Sequence, residues 1–380
     1  MSAAALRLGF IGGATHSAVG YTHFVASRMD GRFAIEAGCF SRSTESNAQT
    51  AASYGVAPAR THASWQAMLA AEQGTLDAVV VLTPTPTHAP IVCAALEAGV
   101  PVICEKALAT SVEECRQIGT VLERTGGFLA VTFNYSGYPM VRELRRLIAD
   151  GELGRLQQIH VEMPQEGFLR TSPEGKPATP QAWRLSDPAI PTVSLDLGVH
   201  VHHLVQFLSP QSVPEEVVAE QMRFGHFEGI VDNVHCLARY SDGLQVQMWY
   251  GKTALGQRNG LRIRVFGDRG SAEWHQMEPE DLNLARIDGT RVRLDRGSPL
   301  LRVAADIRYT RFKAGHPSGF LEAFANLYVD IADALVRHRG GAAAADGPAG
   351  HVFGIAQAEQ GFRLLEAVHA SARERRWRKV

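Results

Sequence analysis

A lysine and a carboxylate–imidazole pair are the side chains of this 380-residue chain best suited to chemistry. Lys106 ends the apolar run VPVICEK, and Asp196, His200 and His203 come later, in the stretch SLDLGVHVHH. A lysine at the C-terminal edge of a buried strand faces the crevice where open α/β sheets bind ligands. Spacings of four and three residues place the other side chains on one face of a helix. The pattern indicates machinery for proton transfer.

Proton transfer of this kind suits the oxidation of a secondary alcohol. A base removes the hydroxyl proton while hydride leaves for a nicotinamide, and the same group acts as an acid in the reverse direction. We predict that His200 is this group, that Asp196 orients its ring, and that Lys106 either polarises the substrate oxygen or depresses the pKa of the base. The alternatives are a helix cap for the aspartate, a surface ion pair for the lysine and a core position for the histidine.

A metal site is a further rival interpretation of this cluster. Asp196, His200, His202 and His203 supply enough ligands for zinc. His202, however, lies on a different helical face, and hydride transfer requires no ion. The sequence therefore favours a site without a metal.

Composition limits the partners and the location of the protein. A length of 380 residues suggests two domains. The formal net charge of −1, with 20% charged residues, favours a small-molecule partner over nucleic acid or a membrane surface. The five cysteines form no CxxC pair, which suits a reducing compartment. Because MSAAA at the start lacks a basic segment and no run of about 18 apolar residues occurs, we expect a cytoplasmic protein.

The elements that must position these side chains change in type along the chain. Up to about residue 130, β-rich runs alternate with helical patterns, which implies a parallel sheet. Between 215 and 284 strands follow one another, which argues for a mostly antiparallel sheet. We expect an α/β fold with a doubly wound Rossmann domain over 1–130 and an α+β domain with a large open sheet over 131–380. The predicted strands are 6–11, 33–40, 76–82, 101–104, 156–163, 234–240, 244–250 and 261–266, and the predicted helices are 19–29, 45–54, 88–98, 111–125, 138–149, 317–337 and 351–375.

The turn after the first strand is rich in glycine. Gly12, Gly13 and Gly20 let the backbone approach a pyrophosphate and leave helix N–H groups free to bind it. Their spacing departs from GxGxxG, so a glycine turn without a nucleotide is the alternative. The strand-turn-helix context favours a dinucleotide cofactor.

Two further turns are predicted to contact that cofactor. At the end of the second strand the chain reads Ser41-Arg42, with no carboxylate to bind the adenosine ribose or repel a 2′-phosphate. Arg42 can pair with such a phosphate, which favours NADP over NAD, and a solvated arginine is the alternative. After the third strand, Thr83, Pro84 and Thr85 form a stiff turn at the sheet edge, where the alternative is a rigid turn without a ligand.

As a set, these motifs resemble the glucose-fructose oxidoreductase, inositol dehydrogenase and MocA (Gfo/Idh/MocA) family over nearly the whole chain. The matching features are the TP-turn with His88, the segment Glu105-Lys106, the GELG turn at 151–154 and Asp196-Leu-Gly-Val-His200. The resemblance implies a Rossmann domain, with His88, Glu105 and Lys106 among its cofactor contacts. It also implies a second domain whose open sheet makes the contacts of a homodimer or homotetramer, and it supports the roles of the lysine, aspartate and histidine.

The resemblance also implies a polyol substrate. Family members commonly oxidise one hydroxyl of a pyranose or cyclitol, or reduce the matching ketone. We therefore expect an NAD(P)-dependent dehydrogenase or reductase acting on a sugar, glycoside or cyclitol. Hydroxyl-rich rings need several hydrogen-bonding groups. The candidates, for which ordinary loop or packing positions are the alternative, are Asn134, Tyr135, Gln165, Trp183, Arg184, His203 and His316.

Two positions depart from the family pattern. Ala107 follows the lysine where Glu-Lys-Pro is usual, which loosens the backbone and keeps the amine. His203 stands where an acid is often found, so we expect a different substrate choice. Two other functions stay open: a glycoside-cleaving enzyme that oxidises its sugar transiently with tightly held NAD, and a nucleotide-sensing binding protein. The intact Lys106, Asp196 and His200 argue against the second.

Overall fold

The computed structural model describes residues 4–17, 19–341 and 350–380. The chain divides into two compact units: Met1–Gly137 with Phe320–Glu359, and Tyr138–Gly319 with Gln360–Val380. This partition differs from a division at residue 130, because the first unit extends to Gly137 and also takes in Phe320–Glu359. Apolar side chains of a late helix join the core of the first unit.

The first unit is built on a five-stranded parallel sheet with the order β2-β1-β3-β4-β5. Its strands are β1 (Leu6–Gly12), β2 (Phe33–Cys39), β3 (Ala78–Leu82), β4 (Val102–Cys104) and β5 (Leu129–Val131). Val79, Val80 and Val81 of β3 are fully buried. A strand that is apolar on both faces is typical of a parallel sheet covered by helices. The predicted Rossmann sheet is confirmed.

Polar residues at helix starts explain several boundaries of the helices. Ser43, Ser64 and Ser111 each accept a hydrogen bond from the backbone N–H three residues further on, which is the usual role of an N-cap serine. The helices are α1 (Gly20–Arg28), α2 (Thr44–Tyr54), α3 (Trp65–Ala71), α4 (His88–Glu97), α5 (Val112–Thr125), α6 (Pro139–Ala149), α7 (Val199–Leu208), α8 (Phe320–Arg339) and α9 (Ile355–Glu374). Across the described ranges, none of these helices is long and apolar enough to cross a bilayer.

Helix α8 packs against α1 in the first unit. Phe324, Tyr328 and Ile331 lie on its buried face and belong to the same core as Phe10 of β1. The ring of Phe324 lies 4.9 Å from the ring of His23 on α1, in an edge-to-face arrangement. These contacts explain why a helix so late in the sequence completes the first unit.

The second unit is built on a nine-stranded sheet with the order β13-β12-β11-β10-β6-β9-β8-β7-β14. Only the pair β6 and β9 is parallel among the described strands of this sheet. Helix α7 packs against β6 and β9. The predicted open, mostly antiparallel sheet is confirmed. Its strands are β6 (Leu156–Pro164), β7 (Pro214–Met222), β8 (Asn233–Tyr240), β9 (Gln245–Gly251), β10 (Arg262–Gly267), β11 (Gly270–His275), β12 (Asp281–Arg286), β13 (Arg291–Asp295) and β14 (Arg378–Lys379).

Candidate active site

The glycine turn between β1 and α1 has no room for side chains. Gly12 and Gly13 have φ angles of 82° and 75°, in the left-handed region that favours glycine. A Cβ atom on Gly13 would lie 2.5 Å from Cδ1 of Leu82, and one on Gly20 would lie 2.2 Å from the carbonyl oxygen of Gly13. The backbone therefore comes close to the start of α1, where N–H groups are free to bind an anion. This geometry fits the pyrophosphate of a dinucleotide.

The turn after β2 carries the residues expected near the adenosine ribose. The side-chain oxygen of Asn47 accepts a hydrogen bond from the backbone N–H of Ser41 over 3.4 Å. Arg42 is exposed. His16 of the glycine turn lies 3.4 Å from the hydroxyl of Ser46 at the start of α2, which places the two turns side by side. No carboxylate stands between β2 and α2.

The turn after β3 is tied to the end of β4 by a buried histidine. Thr83 and Pro84 lead into the 3-10 turn Thr85–Thr87. His88 is buried, with Nε2 2.7 Å from the carbonyl oxygen of Thr83 and Nδ1 2.7 Å from that of Ala107. Burial lowers the pKa of His88. Its ring connects the two chain segments that were both predicted to contact the cofactor.

Glu105 and Lys106 follow directly after β4, and the peptide bond after Lys106 is cis. The Glu105 carboxylate is buried and accepts hydrogen bonds from Nε2 of His23, over 3.1 Å, and from the hydroxyl of Thr132. With that nitrogen donating, Nδ1 of His23 accepts from the Tyr328 hydroxyl over 2.7 Å. Although burial opposes ionisation, the hydrogen bond from His23 lowers the pKa of Glu105. This buried carboxylate anchors the backbone that carries Lys106.

In the second unit, Asp196 lies on the π-helical segment Ser194–Gly198, which precedes α7. The hydroxyl of Ser194 lies 3.0 Å from that of Tyr250 on β9. A Cβ atom on Gly198 would lie 3.0 Å from Cζ of Tyr250, so the glycine allows this close approach. Single π-helical turns occur often at functional sites. Here the turn holds the Asp196 backbone against β9.

Two cations hold the Asp196 carboxylate. Nζ of Lys252 lies 2.5 Å from Oδ2 of Asp196. The Arg184 guanidinium donates from Nε to Oδ2, over 3.3 Å, and from Nη2 to Oδ1, over 3.2 Å. The Asp196 and Lys252 side chains are only 10% and 11% exposed, so this is a largely desolvated charge cluster. Lys252 was not predicted, and its position immediately after an apolar strand is the one signal that could have found it.

The three histidines of α7 are all buried. His200 is 4% exposed. Burial lowers the pKa of His202 to about 4, so that ring is neutral at neutral pH. The His203 ring packs 6.2 Å from Phe207, and burial, with the charge of Arg145, lowers its pKa as well. His203 is therefore a neutral group where the family often has an acid.

The remaining candidates for substrate contacts are distributed over both units. Asn134 and Tyr135 lie in the buried 3-10 turn Asn134–Gly137 of the first unit. Of the others, Trp183 stacks on Arg184, with the guanidinium carbon 4.4 Å from the ring centre. This stacking places Trp183 beside the Asp196 cluster.

Gln165 and His316 have different surroundings in the second unit. The backbone N–H of Gln165 donates to the carbonyl oxygen of Gly251, the residue before Lys252, so Gln165 also lies near the cluster. The exposed His316 ring lies 4.9 Å from Phe312, and no described contact brings it to Asp196.

Within 4–17, 19–341 and 350–380, no three His, Cys, Asp or Glu side chains gather in a way that could hold a metal ion. The rival zinc set of Asp196, His200, His202 and His203 is therefore not assembled by the described residues. The Asp196 carboxylate is instead directed toward cations.

Comparisons with known proteins cover both halves of the chain. Residues 6–133 match the family model described as the oxidoreductase family, NAD-binding Rossmann fold, and residues 141–273 match the GFO/IDH/MocA C-terminal domain. The uncharacterized oxidoreductase YfiI of Bacillus subtilis is 32% identical over 338 residues, which is 87% of this chain and 85% of that protein. Myo-inositol dehydrogenase Hyg17 of Streptomyces leeuwenhoekii is 31% identical over 202 residues, which is 52% of this chain and 57% of that protein.

A solved structure extends the similarity over the whole chain. The inositol dehydrogenase homolog from Azotobacter vinelandii, complexed with NADH and myo-inositol, has a TM-score of 0.90 and 30% sequence identity. The alignment covers 100% of this chain and 98% of that chain. The order of the domains and their folds are therefore shared.

Proposed function

Because this chain belongs to the Gfo/Idh/MocA oxidoreductase family and has its NAD-binding Rossmann domain, we propose that it is a dehydrogenase or reductase of polyols. The reaction transfers hydride between NAD(P) and a secondary hydroxyl or ketone of a sugar, glycoside or cyclitol. One observation carries the proposal: two cations fix a buried aspartate, Asp196, on the π turn that leads into the helix of His200. A buried carboxylate fixed in this way can orient an imidazole of the same segment for acid–base chemistry.

The first unit would bind the cofactor through its turns. Gly12, Gly13 and Gly20 leave the backbone open to the pyrophosphate, and the turn of Thr83 to Thr85 borders the same end of the sheet. When bound, NAD(P) accepts or supplies the hydride. Lys106 donates a hydrogen bond to the substrate oxygen and stabilises negative charge that develops there.

The second unit would supply the proton-transfer group. His200 accepts the hydroxyl proton in the oxidative direction and returns it in the reductive direction. Asp196 orients the substrate and the imidazole, with its own position determined by Lys252 and Arg184. Trp183 and Gln165, which lie near this cluster, provide an apolar face and an amide to a hydroxyl-rich ring.

We propose that the turn after β2 favours NADP over NAD. Arg42 is exposed there, and no carboxylate is present to repel a 2′-phosphate. Arg42→Ala is expected to weaken NADP binding by roughly tenfold and to leave NAD binding nearly unchanged. Fluorescence titration of the reduced cofactors measures both affinities, with Arg124→Ala, an exposed arginine of α5, as the control. Equal losses for both cofactors would refute the preference.

The activity is tested with a panel of sugars, glycosides and cyclitols that begins with myo-inositol. We expect absorbance change at the reduced-nicotinamide band with NAD or NADP for at least one member. Failure of the wild-type protein across a broad panel, in both directions, would contradict the proposal. Cleavage of a glycoside without net cofactor reduction would instead indicate transient oxidation of the sugar.

We also propose a homodimer or homotetramer that forms through the open face of the nine-stranded sheet. Leu237 on β8 is 49% exposed, and Trp249 on β9 stacks on His235 with ring centres 5.4 Å apart. These side chains form an apolar surface of the kind that self-association covers. Light scattering should give a mass of two or four chains, and Leu237→Asp should reduce that mass.

We propose a cytoplasmic location, which the five free thiols support because thiols stay reduced in a reducing compartment.

A further inference from the structure

We propose that Lys252 is a positioning residue of the acid–base site, which holds the Asp196 carboxylate in place for its work with His200 and the substrate. This inference rests on the proposed function. Its basis is a direct contact of 2.5 Å between Nζ of Lys252 and Oδ2 of Asp196, made between two largely buried side chains.

Backbone hydrogen bonds fix the position of Lys252 independently of its side chain. Its N–H donates to the carbonyl oxygen of Asp232 over 2.7 Å, and its carbonyl oxygen accepts from the N–H of Phe168 over 2.9 Å. The ammonium group lies 5.4 Å from the centre of the Phe168 ring, which favours a cation at that place. The backbone of Lys252 is therefore fixed on both sides, and its ammonium group lies between the Phe168 ring and the carboxylate.

The residue type suits this position. The chain has five lysines among its 38 basic residues, so arginine is its usual cation. Arg184 already spans both oxygens of Asp196 with its planar fork. At Oδ2 the compact ammonium group of Lys252 adds a second cation without displacing the fork of Arg184.

Two cations on one carboxylate also weaken the negative electrostatic potential that the carboxylate produces at the His200 ring. Removing the Lys252 charge should leave the carboxylate less compensated, so that the His200 ring gains a proton at higher pH. Among the described residues, the ionisable groups that face this segment include Arg184 and Lys252 at Asp196, Tyr250 from β9 at Ser194, and Arg145 from α6 and His202 at His203. Of these groups, Arg184 and Lys252 contact the Asp196 carboxylate directly.

The test compares Lys252→Met, Lys252→Gln and Lys252→Arg in the full chain. Lys252→Gln is a second neutral variant, for use if Lys252→Met fails to fold. The glutamine amide can still donate a hydrogen bond to Asp196. The control is Lys379→Met, which removes an exposed lysine from β14. The first measurement is the pH dependence of kcat/KM with NAD and myo-inositol or another active polyol. The second is the titration of the His200 ring by NMR without substrate, with its signal identified by its loss in His200→Gln.

For the neutral variants, we expect the acidic limb of kcat/KM and the His200 titration to move to higher pH by roughly 0.5–1 unit. We also expect kcat/KM at neutral pH to fall about tenfold or more. Lys252→Arg should recover most of both effects, and Lys379→Met should change neither.

The outcomes separate this inference from the proposed function. If the wild-type protein turns over a polyol but neither the limb nor the His200 titration moves, Lys252 is only structural and the inference is overturned. A loss of thermal stability alone overturns it too. If no polyol reacts but the His200 titration moves and Lys252→Arg restores it, the positioning role holds and the proposed function fails.

Discussion

His200 is the residue on which the proposed proton transfer depends most directly. This residue is 4% exposed and lies on the first turn of α7, after the segment that carries Asp196. We predict that His200→Ala lowers kcat by about 10²–10⁴-fold, which is the usual contribution of general acid–base catalysis. Cofactor affinity should change by less than about twofold, because the glycine turn belongs to the other unit. Steady-state kinetics and fluorescence titration of the reduced cofactor measure the two effects.

His202→Ala is the matched control for this substitution. His202 is a buried histidine of the same helix, and burial lowers its pKa to about 4. Its ring points toward Gly361 of α9, where a Cβ atom would lie 3.1 Å away. If both variants lose activity to the same extent, with equal losses of thermal stability, His200 has no special chemical role.

At the scale of single residues, the sequence allowed a prediction of Lys106, Asp196 and His200 but not of Lys252. Asp196 and His200 stand out by their spacing and Lys106 by its position after an apolar strand. Lys252 shares that last signal after β9, but the signal does not identify its partner. Lys252 meets Asp196 across 56 residues of sequence, through the pairing of β9 with the rest of its sheet. Periodicity within a segment contains no information about such a contact.

At the scale of elements, the π turn before α7 shows where local pattern was insufficient. The predicted face of Asp196 and His200 assumed α-helical spacing, whereas the structure has a π-helical segment, Ser194–Gly198. The cause is tertiary, because Gly198 lets the Tyr250 ring approach and Ser194 contacts the hydroxyl of that ring. No residue type in the segment signals this on its own.

We predict that Gly198→Ala displaces this turn and reduces turnover. The added Cβ would lie 2.9 Å from Cδ2 of Leu365 and 3.0 Å from Cζ of Tyr250, so the π segment must shift. A displacement of about 1 Å at an element that carries catalytic residues typically lowers kcat by about tenfold to a hundredfold. Gly119→Ala on α5 is the control, since its Cβ has an ordinary contact of 3.4 Å. Wild-type kcat in Gly198→Ala would show that the position of the turn does not matter.

A second element-scale prediction concerns the connection between α2 and β3 in the first unit. Glu72 directly follows α3 and is bound by Arg60, over 2.6 Å, and by His62, over 3.0 Å. The hydrogen bond from Arg60, against the opposing effect of burial, and those from Thr75 and His62 lower the pKa of Glu72 to about 2. A depressed pKa stabilises the fold above the unfolded-state value, about 4.3, and this stabilisation is lost as pH falls toward 2.

Glu72→Gln should therefore destabilise the protein by about 3 kcal/mol at pH 7. The difference from wild type should shrink steadily below about pH 4.3, where the unfolded wild-type chain takes up a proton. Denaturant unfolding at several pH values measures it, with the exposed Glu45→Gln as the control. A difference that is independent of pH would show that the carboxylate charge contributes nothing.

At the scale of the whole molecule, strand and helix types were largely predictable, and their partners were not. The predicted runs of 33–40 and 156–163 correspond to β2 and β6, because alternation and apolar content are local properties. The three-residue strand β5 was not predicted. The parallel pairing of β6 with β9 and the return of α8 to the first unit depend on contacts between distant segments.

The return of α8 leads to a prediction for the first unit as a whole. Ile331 is fully buried in the core that also contains Phe10 and Val80. Ile331→Ala is expected to cost about 2–5 kcal/mol, the usual range for removing a buried isoleucine side chain. Because that core supports the sheet beneath the glycine turn, cofactor affinity should also fall. Val336→Ala on the same helix is the control, since Val336 is 52% exposed and should cost less than about 0.5 kcal/mol. Hydrogen exchange should show faster exchange in β1 and β3 for Ile331→Ala, and unchanged exchange there would mean that α8 is not part of the first unit's core.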